Sequence, residues 1–199
     1  MKIFKVKVAI LIALVVFFCC CNVNSQSHFN SSLEEVNALQ WVKDHFARGK
    51  VPPFSFKYGG TDSKTFITRW KYTAEKQVSE DPNKEKNVFS YQDNRSGVIV
   101  KCFVTAYKDF PAVEWVLKFS NMSASNTPVI EMAEVIDYTF IYSSNGPFVL
   151  HHSQGSNAQR SDFQPIDEKL LPGKKISMTP SGGRSSDNTA LPFFNIEAP

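Results

Sequence analysis

Between Val113 and Phe119 the side chains follow a period of two. Val113, Trp115, Leu117 and Phe119 fall on one side, Glu114 and Lys118 on the other. Only an extended chain puts alternate residues on opposite faces, so this segment predicts a strand with one buried face. The same period runs through Val98–Tyr107. There Val98, Val100, Cys102 and Val104 share a face opposite Lys101, Phe103, Thr105 and Tyr107. Asp93-Asn94-Arg95-Ser96-Gly97 supplies turn residues just before it, which predicts a hairpin pairing Val88–Gln92 with Val98–Tyr107. Aromatic residues make up 13% of the chain, a composition that suits pleated surfaces.

Val129–Tyr142 carries apolar residues on both faces of a continuous strand. Ile130, Met132, Ile136, Tyr138 and Phe140 lie on one side, and Val129, Ala133, Val135 and Ile141 on the other. Such a strand is expected to be covered on both sides. Glu131, Glu134 and Asp137 interrupt it, and a bulge near Ala133 would re-aim them.

One helix is expected, over about 33–48. Ser32-Leu33-Glu34-Glu35 forms a capping box, Val36, Leu39, Val42 and Phe46 follow at helical spacing, and Gly49 can close the end in a left-handed conformation. Many strands with one N-terminal amphipathic helix predict a mainly β fold, a large antiparallel, supersandwich-like β-sandwich. The expected division is a signal peptide at 1–25, a leader with the helix at 26–51, and a sandwich domain at 52–199.

The signal peptide rests on Lys2, Lys5 and Lys7 before an apolar run from Val8 to Cys21, too short for a spanning helix of about 20 residues. Cys19, Cys20 and Cys21 offer lipid attachment as the alternative, against which Phe17 and Phe18 argue. Export to a bacterial periplasm or beyond, free or lipid-anchored, is the expected location. Removing the segment leaves 22 − 3 = 19 basic residues against 19 acidic ones. A net charge of zero speaks against nucleic acid, which needs concentrated positive charge. Cys102 is then the one cysteine left, so no internal disulfide forms and stability comes from the core of a chain of 199 − 25 = 174 residues. Asn30, Asn94 and Asn121 begin glycosylation sequons, which carry no meaning in a bacterial chain.

The last third differs in texture. His151-His152-Ser153-Gln154-Gly155 leads to Asp162-Phe163-Gln164-Pro165, and Gly182-Gly183-Arg184-Ser185-Ser186 precedes Phe193-Phe194-Asn195-Ile196. Single aromatics among small polar residues have no strand or helix period, and loops on a rigid scaffold often present binding groups. These segments resemble the N-terminal domain of alpha-galactosidase-like enzymes, the melibiase or family 36 glycoside hydrolases. Pro52-Pro53-Phe54-Ser55-Phe56-Lys57-Tyr58-Gly59-Gly60 and Asp109-Phe110-Pro111-Ala112-Val113-Glu114-Trp115 add to the resemblance, which covers the chain from about Pro52 onward.

In that family the domain precedes a (β/α)8 barrel that holds both catalytic aspartates. The chain stops at Pro199, before any barrel pattern. The resemblance therefore implies a non-catalytic domain of a truncated chain. Its partners would be the catalytic barrel of the same polypeptide and a galactoside-type carbohydrate, with homo-oligomer contacts left open. Asp162, Phe163, Gln164, Arg184, Ser185 and Ser186 would line the pocket rim or the docking face. A structural alternative has Asp162 capping a turn and Arg184 pairing with it to pin the two loops.

No catalytic, metal or cofactor site is expected. A retaining glycosidase needs two carboxylates about 5–5.5 Å apart. Glu131 and Glu134, three apart on a strand, point to opposite faces unless a bulge intervenes. His151 and His152 are adjacent on a strand and cannot easily share a metal, so one is expected to pack and the other to hydrogen-bond. Gly183-Arg184-Ser185-Ser186 lacks the order of a nucleophile elbow, and no P-loop or dinucleotide fingerprint is present. The rival function is a stand-alone exported carbohydrate-binding or envelope interaction module.

Overall fold

A computed structural model describes residues 31–141, 146–156 and 158–199, with side chains from Ala38 onward. The signal peptide, Cys19–Cys21, the leader, Asn30, Tyr142 and the side chains of the capping box lie outside the described residues. The chain divides into two compact units, the first ending at Asp137 and the second spanning Tyr138–Pro199. The sequence reading places the helix before the domain over 52–199, with its apolar stripe packing on a neighbouring sheet or domain. In the structure the helix shares the core of the first unit.

The fold is mainly β, with ten strands in three antiparallel sheets among the described residues. Helix α1 spans Ser31–Phe46. The strands of the first unit are β1 (Ser55–Tyr58), β2 (Thr61–Asp62), β3 (Lys71–Gln77), β4 (Lys84–Gln92), β5 (Val98–Tyr107), β6 (Val113–Asn121) and β7 (Ile130–Glu134). Two single turns of 3-10 helix, Ser63–Thr65 and Ile67–Arg69, link β2 to β3. The second unit holds β8 (Phe148–Ser153), β9 (Pro165–Leu170) and β10 (Phe194–Glu197).

The main sheet, in the order β3-β4-β5-β6, follows the period of two. Val98, Val100, Cys102, Val104 and Ala106 are buried along β5, and Val113, Trp115, Leu117 and Phe119 pack beside them from β6. The expected hairpin forms, with Gln92 opposite Ile99 and Val88 opposite Phe103. The inner face of this sheet is covered by two things. Ala38, Val42 and Phe46 of α1 press on it, and Phe46 stacks on Phe89 with centroids 5.0 Å apart. The small sheet β2-β1-β7 covers the rest through Phe54 against Tyr91 and Phe56 against Phe119. Two antiparallel sheets facing each other across an aromatic core make this unit a sandwich with a helix filling part of one layer. Gly49 closes the helix segment at φ 80°, the left-handed conformation expected of it.

Val129–Tyr142 departs from expectation. The strand ends at Glu134, after five residues. Ser55 pairs with Glu134 and Lys57 with Glu131, so three steps on β7 oppose two on β1. That is the bulge expected near Ala133, and Met132 sits in it at φ 47°. The ladder cannot continue because β1 begins at Ser55, and the residues before it include Pro52 and Pro53, which carry no amide hydrogen. The chain is held differently from there: Asp137 N–H donates to Pro53 O at 2.9 Å, and Trp115 Nε1 donates to Val135 O at 2.8 Å. The expected covering on both sides is absent, since Met132 is 63% exposed and Ile136 64%.

In the second unit β8 is the central strand, flanked by β10 and β9. Leu150 is buried on one face of it, and His151 falls on the other.

Candidate functional site

The loops singled out by the sequence surround the β8 sheet. Asp162 accepts from Ser156 Oγ at 2.7 Å and from Gln159 N–H at 2.9 Å, so it closes the β8–β9 loop as a turn cap. Phe163 follows in the left-handed region at φ 59° with its ring exposed, and Gln164 is exposed. Arg184 and Ser185 are exposed, and Ser186 is half-buried. No ion pair among the described residues involves Arg184, so the two loops are not pinned through it.

Asp187, one residue past the predicted segment, does the pinning. Its carboxylate accepts from Ser181 N–H at 2.6 Å, Thr189 N–H at 2.8 Å, Ala190 N–H at 3.2 Å and both hydroxyls of Ser181 and Thr189. Those donors, the Ser181 hydroxyl first and the Thr189 hydroxyl next, hold its pKa well below the ordinary carboxylate range. Its carbonyl accepts from Gly155 N–H in the β8–β9 loop. Sequence reasoning missed it because an aspartate among serines and threonines carries no period; the Ser181–Asp187–Thr189 spacing of local acceptor and donors was the available signal.

His151 and His152 do point to opposite faces. His151 Nδ1 lies 2.8 Å from Asp167 Oδ1, and its Nε2 lies 2.8 Å from Glu197 Oε2. His152 Nε2 lies 3.2 Å from Glu168, which also pairs with Lys174 at 2.7 Å. Both histidines therefore meet carboxylates, and His152, whose side chain is 11% exposed, is also the one that packs. A ring whose two nitrogens both meet carboxylates is suited to the charged imidazolium, since each nitrogen then donates. The Asp167 and Glu197 carboxylates raise its pKa, Asp167 more. No group of three or more His, Cys, Asp or Glu side chains among the described residues has the geometry to hold a metal ion. Glu131 and Glu134 are both exposed on the edge strand β7.

A better-formed site lies in the first unit, away from the predicted residues. A cleft of about 580 Å³ opens at the end of the main sheet, within the size range of small-molecule pockets. Lys71 at the start of β3 and Gln92 at the end of β4 are register partners, and they form its floor with the turn that follows. The Asp93 carboxylate shapes that turn, accepting from Arg95 N–H at 3.1 Å and Ser96 Oγ at 2.6 Å. Gly97 N–H returns to Asp93 O at 3.0 Å, with Gly97 at φ 78° and Ser123 atoms 3.0 Å from where a Cβ on it would stand. The turn thus leaves Asn94 and Arg95 exposed at the rim.

The opposite wall is aromatic. Tyr58, Phe66 and Trp70 line it, with Phe66 and Trp70 centroids 5.2 Å apart and Tyr58 edge-on to Trp70 at 5.7 Å. Phe56 packs against both Phe66 and Trp70 from the core. The Tyr58 hydroxyl is out of contact with solvent and has no hydrogen-bond partner among the described residues. Arg69, beside Trp70, completes the wall. Aromatic rings next to fixed polar groups can hold the apolar face of a sugar ring and bind its hydroxyls. Three separate chain segments, 58–61, 66–71 and 92–95, meet here, so no motif announces the cleft. The basic–aromatic alternation Arg69-Trp70-Lys71-Tyr72 was the one local hint.

No known protein family, no curated protein and no solved structure matches this chain. The candidate site therefore stands on its own geometry.

Proposed function

We propose that this chain is a non-catalytic β-domain of an exported alpha-galactosidase-like glycoside hydrolase, one that packs on the catalytic (β/α)8 barrel and helps shape its sugar pocket. The observation that carries this reading is an apolar strip left in solvent at a sheet edge. Among the described residues β7 pairs with β1 alone, and Val129 just before it, Met132 within it, and Val135 and Ile136 just past it are all exposed. Exposed apolar side chains gathered along one sheet edge support a docking face there. The enzyme class comes from the resemblance over Pro52–Gly60, Asp109–Trp115 and the two loops of the second unit. Exposed Glu131 and Glu134 offer no enclosed carboxylate pair for hydrolysis.

The isolated chain is expected to release no chromophore from a chromogenic alpha-galactoside. The reading frame past the codon for Pro199 is expected to continue into alternating strand and helix patterns. Turnover that disappears on changing Glu131 or Glu134 would sink the non-catalytic reading, and a stop codon at that point would sink the docking one.

A second reading, a stand-alone carbohydrate-binding module, is favoured by the cleft. Its aromatic wall and polar rim need no second domain to bind a saccharide.

A further inference from the structure

The cleft carries an excess of positive charge that a neutral sugar would not use. Arg69, Lys71 and Arg95 line it against the single carboxylate of Asp93. None of the three cations takes part in an ion pair among the described residues. Asp93 is committed to the backbone and hydroxyl of its own turn and forms no ion pair; it interacts by charge with Arg95, and one carboxylate still leaves the three cations in excess. Guanidinium groups present paired N–H donors that match a carboxylate, and they do so best beside low-dielectric walls. Phe66 and Trp70 supply such walls.

We infer that this cleft binds an acidic saccharide, with Arg69 and Arg95 taking the carboxylate of a uronic acid unit and Trp70 with Phe66 taking the sugar ring. The inference rests on the carbohydrate-binding reading and specifies its ligand. Lys71 at the floor adds charge without the planar fork, and so favours the anion with less demand on its orientation.

The test is titration calorimetry on the full chain with tri-galacturonate and, separately, with the neutral galactotriose. Tri-galacturonate is expected to bind at least about tenfold more tightly, the step that one charge-assisted contact makes. Its affinity is expected to fall with added salt. Arg95→Gln, at an exposed turn position, is expected to remove about tenfold of that affinity, while Lys101→Gln on the outer face of the main sheet leaves it unchanged. Trp70→Ala touches packed rings, so Arg69→Gln serves as the second variant that spares the core. Equal binding of the two trisaccharides overturns the charge inference and leaves the carbohydrate reading standing. Binding of neither overturns both. Tri-galacturonate binding that Arg69→Gln and Arg95→Gln weaken no more than Lys101→Gln does also overturns the assignment to this cleft.

Discussion

The Gly155 amide donates to the Asp187 carbonyl across 2.6 Å, and a Cβ on Gly155 would stand 2.7 Å from that same oxygen. Two loops 32 residues apart in sequence (187 − 155) meet here backbone to backbone. Ser186 Cβ and the Asp187 amide would also lie within 3.0 Å of the added atom. Gly155→Ala must therefore push the two loops apart. The expected cost is about 1–3 kcal/mol, the usual range for an overpacked site. Denaturant unfolding of the variant, followed by hydrogen exchange in the second unit, checks it; an unchanged midpoint would mean the contact is loose in solution.

Asp187 sets a low-pH limit on the same loops. Its folded pKa is depressed by the Ser181 and Thr189 donors. A depressed carboxylate contributes stability in full above the unfolded value of about 3.9, and loses it as pH falls through the folded value. Hydrogen-exchange protection of the Ser181, Thr189 and Ala190 amides is expected to hold at neutral pH and to weaken only in strong acid. Asp187→Asn, which keeps the size and loses the charge, is expected to weaken that protection already at pH 7. Equal protection in both proteins would show that the charge is not needed.

His151 works in the opposite direction. Its pKa is raised by Asp167 first and Glu197 second. A raised histidine contributes stability in full below its unfolded value of about 6.5 and loses it as pH rises through the folded value. The bridge across β9, β8 and β10 is thus strongest in mild acid. NMR titration of the His151 ring is expected to give a midpoint above 6.5. His151→Gln is expected to remove the alkaline loss of protection in this sheet. A midpoint at or below 6.5 would count against both carboxylate contacts.

Tyr91 carries a hydroxyl buried without a partner among the described residues, and burial pushes its pKa upward. Its ring meets Phe54 and Tyr72 edge-on, contacts that phenylalanine would keep. An unsatisfied buried polar group costs free energy, so Tyr91→Phe is expected to stabilise the protein by about 1 kcal/mol. Thermal unfolding reads the sign, and a clear loss would reveal a hydrogen bond to the hydroxyl.

Lys101 and Lys118 stand directly opposite each other on the outer face of the main sheet, both exposed. Like charges in that position repel. Lys118→Glu converts the pair to an attractive one and is expected to add about 0.2–1 kcal/mol. The gain should shrink in molar salt, where such exposed charges are screened. A gain independent of salt would point to strand propensity in place of charge.

The strands of the main sheet were legible because each side chain there answers to one question, core or solvent. Val98–Tyr107 and Val113–Phe119 alternate in sequence and alternate in burial. The hairpin was legible because Asp93–Gly97 carries its own hydrogen bonds. Helix α1 and its glycine stop were legible for the same local reason. Asp162 also behaved as a local turn cap.

Tertiary structure decided the rest. Val129–Tyr142 has the composition of a long strand, but pairing needs a partner with free amides, and Pro52 and Pro53 before β1 have none. Arg184 and Asp162 were plausible partners by charge, yet the loops met through Gly155 and Asp187, because close packing there selects backbone contact. The cleft gathers Tyr58, Trp70 and Arg95 from separate strands and turns. Periodicity in the sequence by itself determined which residues turn inward, since burial of a face is a local repeat. Which segments then lie side by side depends on shape and on unpaired backbone groups, and those exist only once the chain has folded.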